Sequence, residues 1–364
     1  MISLGMNKKS GKGMKRKLKK KNVFIVFIIL LTTLMLTLWL DQDEKINGES
    51  DNFCLNSKIE FDSRIMDQMM GDPVRAINEI SDTFQLYPFT DPDYIKYFGV
   101  DLKDVTLKRL RNYQVELKAN EKAIQFKTHI EKLYRKNEKK IISQICKYLP
   151  VDTSFIFKVL YVNFIKERVL YEKDSVFIVN PSSLEWKDNP ASALGMIVHN
   201  AVHIALQKNV AWPSLAENES RAFDKLNFLK QEIFFEGIAT YISHQVLQEL
   251  NLKTNSYFTG GGGEFDFDGI SDKQKMKKVI RTLINDSRDL IQENNEEKFK
   301  AYFDENGGKH YMTGAYLFNV IDQKEGNLLI RKILKNGQAD MLFELYNRQV
   351  PDNEKIIILT DNFL

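Results

Sequence analysis

Between residues 193 and 206 the chain is apolar at almost every position and carries no charged side chain apart from two histidines. A helix that is apolar on nearly all sides is usually buried inside a protein. The pattern therefore predicts a core helix. Residues 223–250 predict a second long helix, and a polar loop at residues 212–221 separates the two. We expect this helix pair to form the centre of the fold.

Two shorter segments, residues 155–164 and 175–179, are rich in Phe, Val, Ile and Tyr, the residue types that favour β-strands. The second segment ends in the turn signal Asn-Pro-Ser. We predict two strands directly before the core helix. One long helix over residues 153–171 is the alternative, because periodicity alone does not separate the two structures.

Charged residues over an apolar stripe at helical spacing predict further helices. They lie at residues 102–112, 116–147, 273–292, 296–303, 311–322, 327–334 and 340–348. The predicted fold is therefore mainly α with a small β-sheet, in the α+β class. We divide it into an N-terminal helical region at residues 61–150 and a second domain at residues 151–364.

The N-terminus has the pattern of a membrane anchor. Nine basic residues precede an uncharged apolar run at residues 23–40. Eighteen helical residues span about 27 Å, enough to cross the hydrocarbon core of a bilayer. The run is longer than the apolar part of a secretion signal, and no small-residue cleavage site follows it before Asp41. Because basic flanks stay in the cytoplasm, we predict a cytoplasmic tail at residues 1–22 and an extracytoplasmic linker at residues 41–60.

The sequence thus predicts a single-pass protein of the cell membrane, with its C-terminal domain outside and the lipid bilayer as one partner. The chain has 52 basic and 49 acidic residues, and residues 1–40 hold nine of the basic ones and none of the acidic ones. The remainder therefore has 43 basic and 49 acidic residues, a net charge of −6. Because the basic cluster flanks the membrane run, we expect no binding of nucleic acid.

Cys54 and Cys146 are the only cysteines of the chain. Outside the membrane they could form one disulfide, and two unpaired thiols are the alternative. Neither cysteine has a neighbour at the spacing of a metal site. The sequence leaves both possibilities open.

His199 and His203 are four positions apart on the predicted core helix, so they lie about 40° apart around its axis and project from one face. At this spacing one helix offers two nitrogen ligands to a zinc ion. A third ligand must come from another element, and Glu236 on the next helix is well placed to supply it. The alternative is a pair of hydrogen-bonded core histidines with a solvated glutamate.

The string Phe235-Glu-Gly-Ile-Ala-Thr-Tyr241 adds context to the string His199-Asn-Ala-Val-His203. Together they resemble the gluzincin class of zinc metallopeptidases, in which an HExxH helix is followed by a helix with a glutamate ligand. They are similar in particular to uncharacterised bacterial zinc-dependent peptidases with an EGxAxY-type third-ligand helix. The resemblance covers roughly residues 159–334. It implies a gluzincin-like architecture, a zinc cofactor, and a small sheet whose edge strand pairs with extended substrate.

Two positions depart from the pattern of this class. The general-base glutamate of HExxH is replaced by Asn200, and an amide cannot take a proton from water and pass it to a leaving amine. Many members also carry an aspartate four residues after the glutamate ligand, where this chain has Thr240. Losing such a carboxylate typically costs about 10–100-fold in metal affinity or activity. Both changes predict weak or absent peptide hydrolysis.

Three further residues are candidates for roles in the site. In metallopeptidases of this kind, a Tyr or His on the C-terminal subdomain stabilises the oxyanion, and Tyr311 or His310 could fill that position. Glu232 lies one helical turn before Glu236 and on the same face, so it is the best candidate for a relocated base. Packing of Tyr311 and solvation of the other two side chains are the ordinary alternatives.

The sequence therefore favours a membrane-anchored, metallopeptidase-like protein that binds zinc and a peptide or protein but hydrolyses peptides poorly, that is, a pseudopeptidase. The first alternative is an active zinc-dependent peptidase with Glu232 as its base. The second alternative is a helical binding domain without a metal. The substrate, the partner and the oligomeric state do not follow from the sequence.

Overall fold

The computed structural model of the chain describes residues 56–63, 66–67, 121–161, 168–170, 176–181, 189–207, 210, 222–253, 270–293 and 309–357. The predicted anchor at residues 23–40, the helices predicted at 102–112 and 296–303, and the polar loop at 212–221 lie outside the described residues. Among the residues described, no helix combines the length and the hydrophobicity needed to cross a bilayer.

Four strands form one sheet in the order β1-β2-β4-β3. Their bounds are Lys58–Asp62 for β1, Ile156–Tyr161 for β2, Arg168–Leu170 for β3 and Val176–Val179 for β4. Strands β1, β2 and β4 are parallel, and β3 pairs antiparallel with β4. The two predicted strands are confirmed as β2 and β4, and the alternative of one helix over residues 153–171 is wrong.

Strand β1 was not predicted from the sequence. The linker was predicted to extend to residue 60, and the strand already begins within it. The strand begins at Lys58, and Ile59 aligns with Phe157 of β2. The hydroxyl of Tyr134 accepts a hydrogen bond from the backbone N–H of Ile59 at 3.2 Å. The strand is held by partners about 75 to 100 residues further along the chain, so its local composition alone does not reveal it.

Alternate side chains of a strand point to opposite sides, and β2 is buried along one face and, at Leu160, on the other as well. Phe157, Val159 and Tyr161 are fully buried, whereas Ile156 is 55% exposed. The ring of Phe157 lies 6.3 Å from that of Phe177 on β4, nearly parallel to it. Aromatic pairs between neighbouring strands stabilise a sheet on its covered face.

The described residues include seven α-helices. Their bounds are Glu121–Tyr148 for α1, Pro190–Leu206 for α2, Ala222–Glu249 for α3, Lys273–Glu293 for α4, Lys309–Glu325 for α5, Asn327–Asn336 for α6 and Ala339–Gln349 for α7. Of these, α2 packs against β2. Each of the seven corresponds to a helix predicted from the sequence, with ends that differ by a few residues. The prediction of a mainly helical α+β fold is confirmed.

Helix α2 begins with an N-cap residue, Asn189, followed by a proline. The side-chain oxygen of Asn189 accepts hydrogen bonds from the backbone N–H groups of Ala191 at 3.0 Å and Ser192 at 3.4 Å. Pro190 occupies the first helical position, where a missing N–H costs nothing. Every residue from Ala191 to Leu206 is buried, as predicted for a core helix.

Helices α3 and α5 make direct backbone contact where two glycines meet. A Cβ atom added to Gly237 would lie 2.3 Å from the Cα of Gly314, and one added to Gly314 would lie 1.9 Å from the carbonyl oxygen of Ile233. Neither position has room for a residue with a Cβ atom. Glycine in a helix costs about 1 kcal/mol relative to alanine, so this pair is retained for close packing.

A buried polar cluster ties α1, α3 and α5 together. The hydroxyls of Tyr148 and Tyr241 both donate hydrogen bonds to Oδ2 of Asp322, at 3.0 and 2.5 Å. Burial, followed by the charge and hydrogen bonds of neighbouring groups, raises the pKa of both tyrosines, so they remain protonated donors. A carboxylate with two hydroxyl donors is well satisfied in a core.

The C-terminal end of α1 is capped by side chains of α6. Asn327 and Arg331 donate hydrogen bonds to the carbonyl oxygen of Lys147, and Arg331 also donates to that of Cys146. These carbonyls have no partner within their own helix.

Cys146 is disulfide-bonded, and the only other cysteine of the sequence is Cys54. The alternative of two unpaired thiols is therefore wrong.

The glycine contact gives a stability prediction. Gly314→Ala places a methyl group against the Ile233 carbonyl, so α3 and α5 must separate. We expect the free energy of unfolding to fall by about 2 kcal/mol or more, measured by chemical denaturation. Lys324→Ala, at an exposed position of the same helix, should change it little. Equal stability of Gly314→Ala and the natural protein would show that the helices do not touch there.

Candidate metal centre

Helices α2 and α3 bring His199, His203 and Glu236 together. The two Nε2 atoms of the histidines are 2.9 Å apart. Oε2 of Glu236 lies 3.0 Å from Nε2 of His199 and 3.2 Å from Nε2 of His203. The histidines are almost fully buried, and the glutamate side chain is 14% exposed. The three residues chosen from the sequence thus meet at one point.

The three contacts cannot all be good hydrogen bonds. Each imidazole nitrogen has a single donor or acceptor direction in the plane of its ring. In a triangle of two such nitrogens and one oxygen, each nitrogen can therefore be directed at only one partner. A cation held by all three atoms would satisfy them together. The arrangement thus fits a metal site better than a hydrogen-bonded core pair.

The donor set and its spacing suit zinc. Zinc takes His nitrogen and carboxylate oxygen at about 2.0–2.2 Å, which separates tetrahedral donors by roughly 3.3 Å. The observed separations are within a few tenths of an ångström of that value. Among the described residues, this is the group of His, Cys, Asp and Glu side chains that could hold a metal ion.

The protonation states also suit metal binding. Burial would raise the pKa of Glu236, but the charges and hydrogen bonds of His203 and His199 hold it well below its usual range. Burial and the neighbouring His203 lower the pKa of His199, and Glu236 opposes this only in part. A carboxylate and a neutral imidazole are the forms that bind metals.

Neighbouring side chains orient the imidazoles. The ring of His203 stacks on Phe235 with centroids 4.2 Å apart. The hydroxyl of Thr240 lies 3.5 Å from Nδ1 of His199, at the outer limit of a hydrogen bond. Thr240 thus lies beside the ring of His199 but carries no negative charge. Phe235 directly precedes Glu236 in the sequence, but the sequence alone does not indicate that its ring stacks on His203.

The side chain of Asn200 has a hydrogen-bond partner on its own helix. Its side-chain NH₂ donates a hydrogen bond to the carbonyl oxygen of Met196, 2.9 Å away and one turn earlier on α2. The residue is 4% exposed. The amide is thus bound to the backbone of its own helix, a common arrangement for a short polar side chain within a helix.

Glu232 has an environment that keeps its proton. Burial raises its pKa to about 8, and the charge of Glu236 contributes to the shift. Near neutral pH the carboxyl group is therefore mostly protonated, and a protonated carboxyl group donates a proton rather than accepting one. A bound cation nearby would lower this pKa again, because positive charge favours the carboxylate.

The first turn of α5 lies beside the site. The ring of Tyr311 is 5.8 Å from that of His199, and His310 is 4.3 Å from Tyr311 between ring centroids. Burial lowers the pKa of His310 to about 4. The smaller effects of two neighbours act in opposite directions, because Glu236 raises this pKa and His199 lowers it. The contact between Gly237 and Gly314 holds this turn close, since Gly314 is one turn after His310.

Comparison with known proteins finds no family model that matches the chain, no similar curated protein and no similar solved structure. The resemblance to gluzincins therefore rests on the two sequence strings, and the geometry of the three donors is consistent with it.

The geometry predicts the metal content of the purified protein. We expect close to one zinc per chain by elemental mass spectrometry, and loss of the metal in His203→Ala. His129→Ala removes an exposed histidine and serves as the matched control, which should retain zinc. If the natural protein purifies without metal and does not bind added zinc, the metal site is wrong. The alternative of a helical binding domain without a metal then remains.

The lowered pKa of His310 predicts that the stability of the protein depends on pH. Its pKa is about 6.5 in the unfolded chain and about 4 in the folded protein, so between these values the unfolded state binds the extra proton. Stability should therefore fall as the pH decreases from 6.5 to 4, by up to roughly 3 kcal/mol from this residue.

His310→Gln should remove that part of the decline, whereas His129→Gln at an exposed position should not. The measurement is the free energy of unfolding at several pH values, with a chelator present so that metal release does not contribute. Identical pH profiles of His310→Gln and the natural protein would contradict the buried, neutral state of His310.

Proposed function

We propose that this chain is a membrane-anchored, extracytoplasmic metallopeptidase-like protein that binds zinc but hydrolyses peptides weakly or not at all. The observation that carries the proposal is the meeting of His199, His203 and Glu236 at one buried point, with separations of 2.9–3.2 Å. This donor set comes from two adjacent core helices in the order that the gluzincin resemblance implies. The resemblance also suggests a peptide or a protein as the ligand.

Zinc, when bound, would supply a Lewis acid that polarises a carbonyl group and lowers the pKa of water. His199, His203 and Glu236 would hold the ion, and Thr240 would orient the ring of His199. Tyr311 and His310 are the candidate donors to a developing negative charge, because their α5 turn lies beside His199. Sequence and geometry together therefore support a site with most parts of a peptidase.

The missing part is the group that moves a proton. An amide at position 200 cannot accept a proton from water or give one to a leaving amine. Its hydrogen bond to the Met196 carbonyl keeps it along its own helix. General acid–base catalysis contributes typically about 10²–10⁴-fold to a rate. A loss of that size supports the proposal of a silent or nearly silent site.

An active peptidase that uses Glu232 is the second candidate function. The observation in its favour is the position of Glu232 one helical turn before Glu236 on α3, where the charge of Glu236 contributes to its raised pKa. Without a bound cation the pKa of Glu232 is about 8, and zinc would lower it, so Glu232 would become a base as the pH rises towards a value below 8. Activity that increases with pH and is lost in Glu232→Gln would support this candidate over the silent site.

Strand β3 is the candidate edge for an extended peptide. Within the described part of the chain it pairs with β4 alone, in the antiparallel direction. An edge strand of this kind can add a further strand through its backbone groups. The gluzincin resemblance supports this role, since there an edge strand before the metal helix binds extended substrate.

The extracytoplasmic location is supported by two features. The basic flank and the apolar run at residues 23–40 are typical of a single-pass anchor with its N-terminus in the cytoplasm. The disulfide at Cys146 adds independent support, because disulfides persist in oxidising compartments and are rare in the cytosol.

The proposal predicts the effect of a single substitution. Asn200→Glu returns a carboxylate to the position after His199, and Thr240→Asp returns one beside the His199 ring. We expect no measurable peptide cleavage in the natural protein, chelator-sensitive cleavage in Asn200→Glu, and faster cleavage in the double variant. The assay is hydrolysis of a fluorogenic peptide mixture by the zinc-loaded full chain.

Asn200→Gln is the control, because it has the length of glutamate but no carboxylate, and it should remain inactive. If Asn200→Glu binds zinc and still cleaves nothing, the cleft differs from a peptidase cleft, and a binding function alone remains. Cleavage by the natural protein would contradict the silent site directly.

A further inference from the structure

Helix α1 carries six exposed lysines on one face. At 100° per residue they fall within about 100° of arc, and the row is roughly 38 Å long. We call them the lysine stripe: Lys122, Lys132, Lys136, Lys139, Lys140 and Lys147. The positions between them on the same face are also exposed and polar: Gln125, His129 and Ser143.

The face of the lysine stripe holds one acidic residue, Glu121, which lies at its edge in the first position of the helix. Between residues 122 and 147 the acidic residues are Glu131 and Glu138, which lie roughly 80° or more from the edge of the stripe. No carboxylate of the described residues forms an ion pair with a lysine of the stripe. Solvated surfaces usually mix both signs of charge, and the chain after residue 40 has a net charge of −6. The stripe is therefore strongly positive, although the chain after residue 40 carries a net negative charge.

The chemistry of the lysine stripe fits an extended anionic surface. It contains no aromatic side chain, so it offers no stacking platform for the bases of a single-stranded nucleic acid. It contains no apolar side chain either, so it cannot insert into the acyl region of a membrane. Lysines act as point charges rather than as bidentate clamps. A row of such charges suits phosphate groups distributed over a surface.

We propose that the lysine stripe binds the anionic phospholipid headgroups of the membrane in which the chain is anchored. Residues 41–57 connect the predicted anchor to strand β1, and seventeen residues reach at most about 60 Å. The tether therefore keeps the domain near the bilayer at a high effective concentration. The inference uses the proposed anchor for this proximity and is independent of the metal site.

The experiment uses the full chain reconstituted into nanodiscs, either of zwitterionic phospholipid or with about 30% anionic phospholipid. Lysines are labelled with an amine-reactive reagent, and the rate at each position is read by mass spectrometry. We expect the lysines of the stripe to react at least about threefold more slowly in anionic discs. About 0.5 M salt should abolish the difference, because it screens charges beyond a few ångströms.

Two matched variants separate the stripe from net charge. Lys132→Glu, Lys136→Glu and Lys139→Glu together should remove the protection of Lys122, Lys140 and Lys147. The same charge change at exposed lysines of α4 and α6 should leave it intact; this control combines Lys273→Glu, Lys278→Glu and Lys332→Glu. All six positions are exposed, so both variants should fold.

Equal labelling in the two kinds of disc would overturn the proposal. So would protection by added polyphosphate in zwitterionic discs without protection by anionic lipid, because the partner would then be a soluble polyanion. Co-purification of the chain with the discs tests the anchor separately. If the chain stays in solution, the anchor is wrong, and labelling with added anionic vesicles decides the role of the stripe.

Discussion

The backbone contact between α3 and α5 is the constraint on which the site depends. Gly237 directly follows Glu236, and Gly314 lies one turn after His310, so one close crossing fixes both sides of the candidate metal centre. Helices with larger residues at the crossing would sit further apart, because the distance between helix axes depends on the side chains at the contact. The first turn of α5 would then lose its place beside the imidazoles. The same crossing is braced by Tyr241 and Asp322, further along the two helices.

Much of the architecture follows from the sequence because the signals are local and strong. The core helix α2 has an apolar surface all round and an Asn-Pro start, and α4 has a clear helical periodicity of apolar and charged residues. Strand β1 escapes such reasoning, because its pairing with β2 and Tyr134 is entirely non-local. Helical spacing likewise predicted that His199 and His203 share a face, since that depends only on the pitch of one helix.

The finer features of the site depend on tertiary packing, and the sequence does not contain them in readable form. The stacking of His203 on Phe235 and the approach of α5 require two helices to meet at a given angle. The rotamer of Asn200 is a further example, because both a metal-facing and a backbone-bound amide suit the same helix. A mid-helix glycine pair was the available signal for the crossing, because glycine is costly in a helix unless close packing requires it.

The position of β1 also has a consequence for how the protein folds. Its hydrogen bond partners near β2 are 98 residues away in the chain, and closing a loop of that length is entropically costly and slow. The helices and the hairpin of β3 and β4 can form from nearby residues, so the sheet should acquire β1 last. Until then, the edge of β2 exposes unpaired backbone groups and the aromatic face of Phe157. A refolding chain is therefore most prone to pair with another copy of itself in the interval before its own residues 58–62 join the sheet.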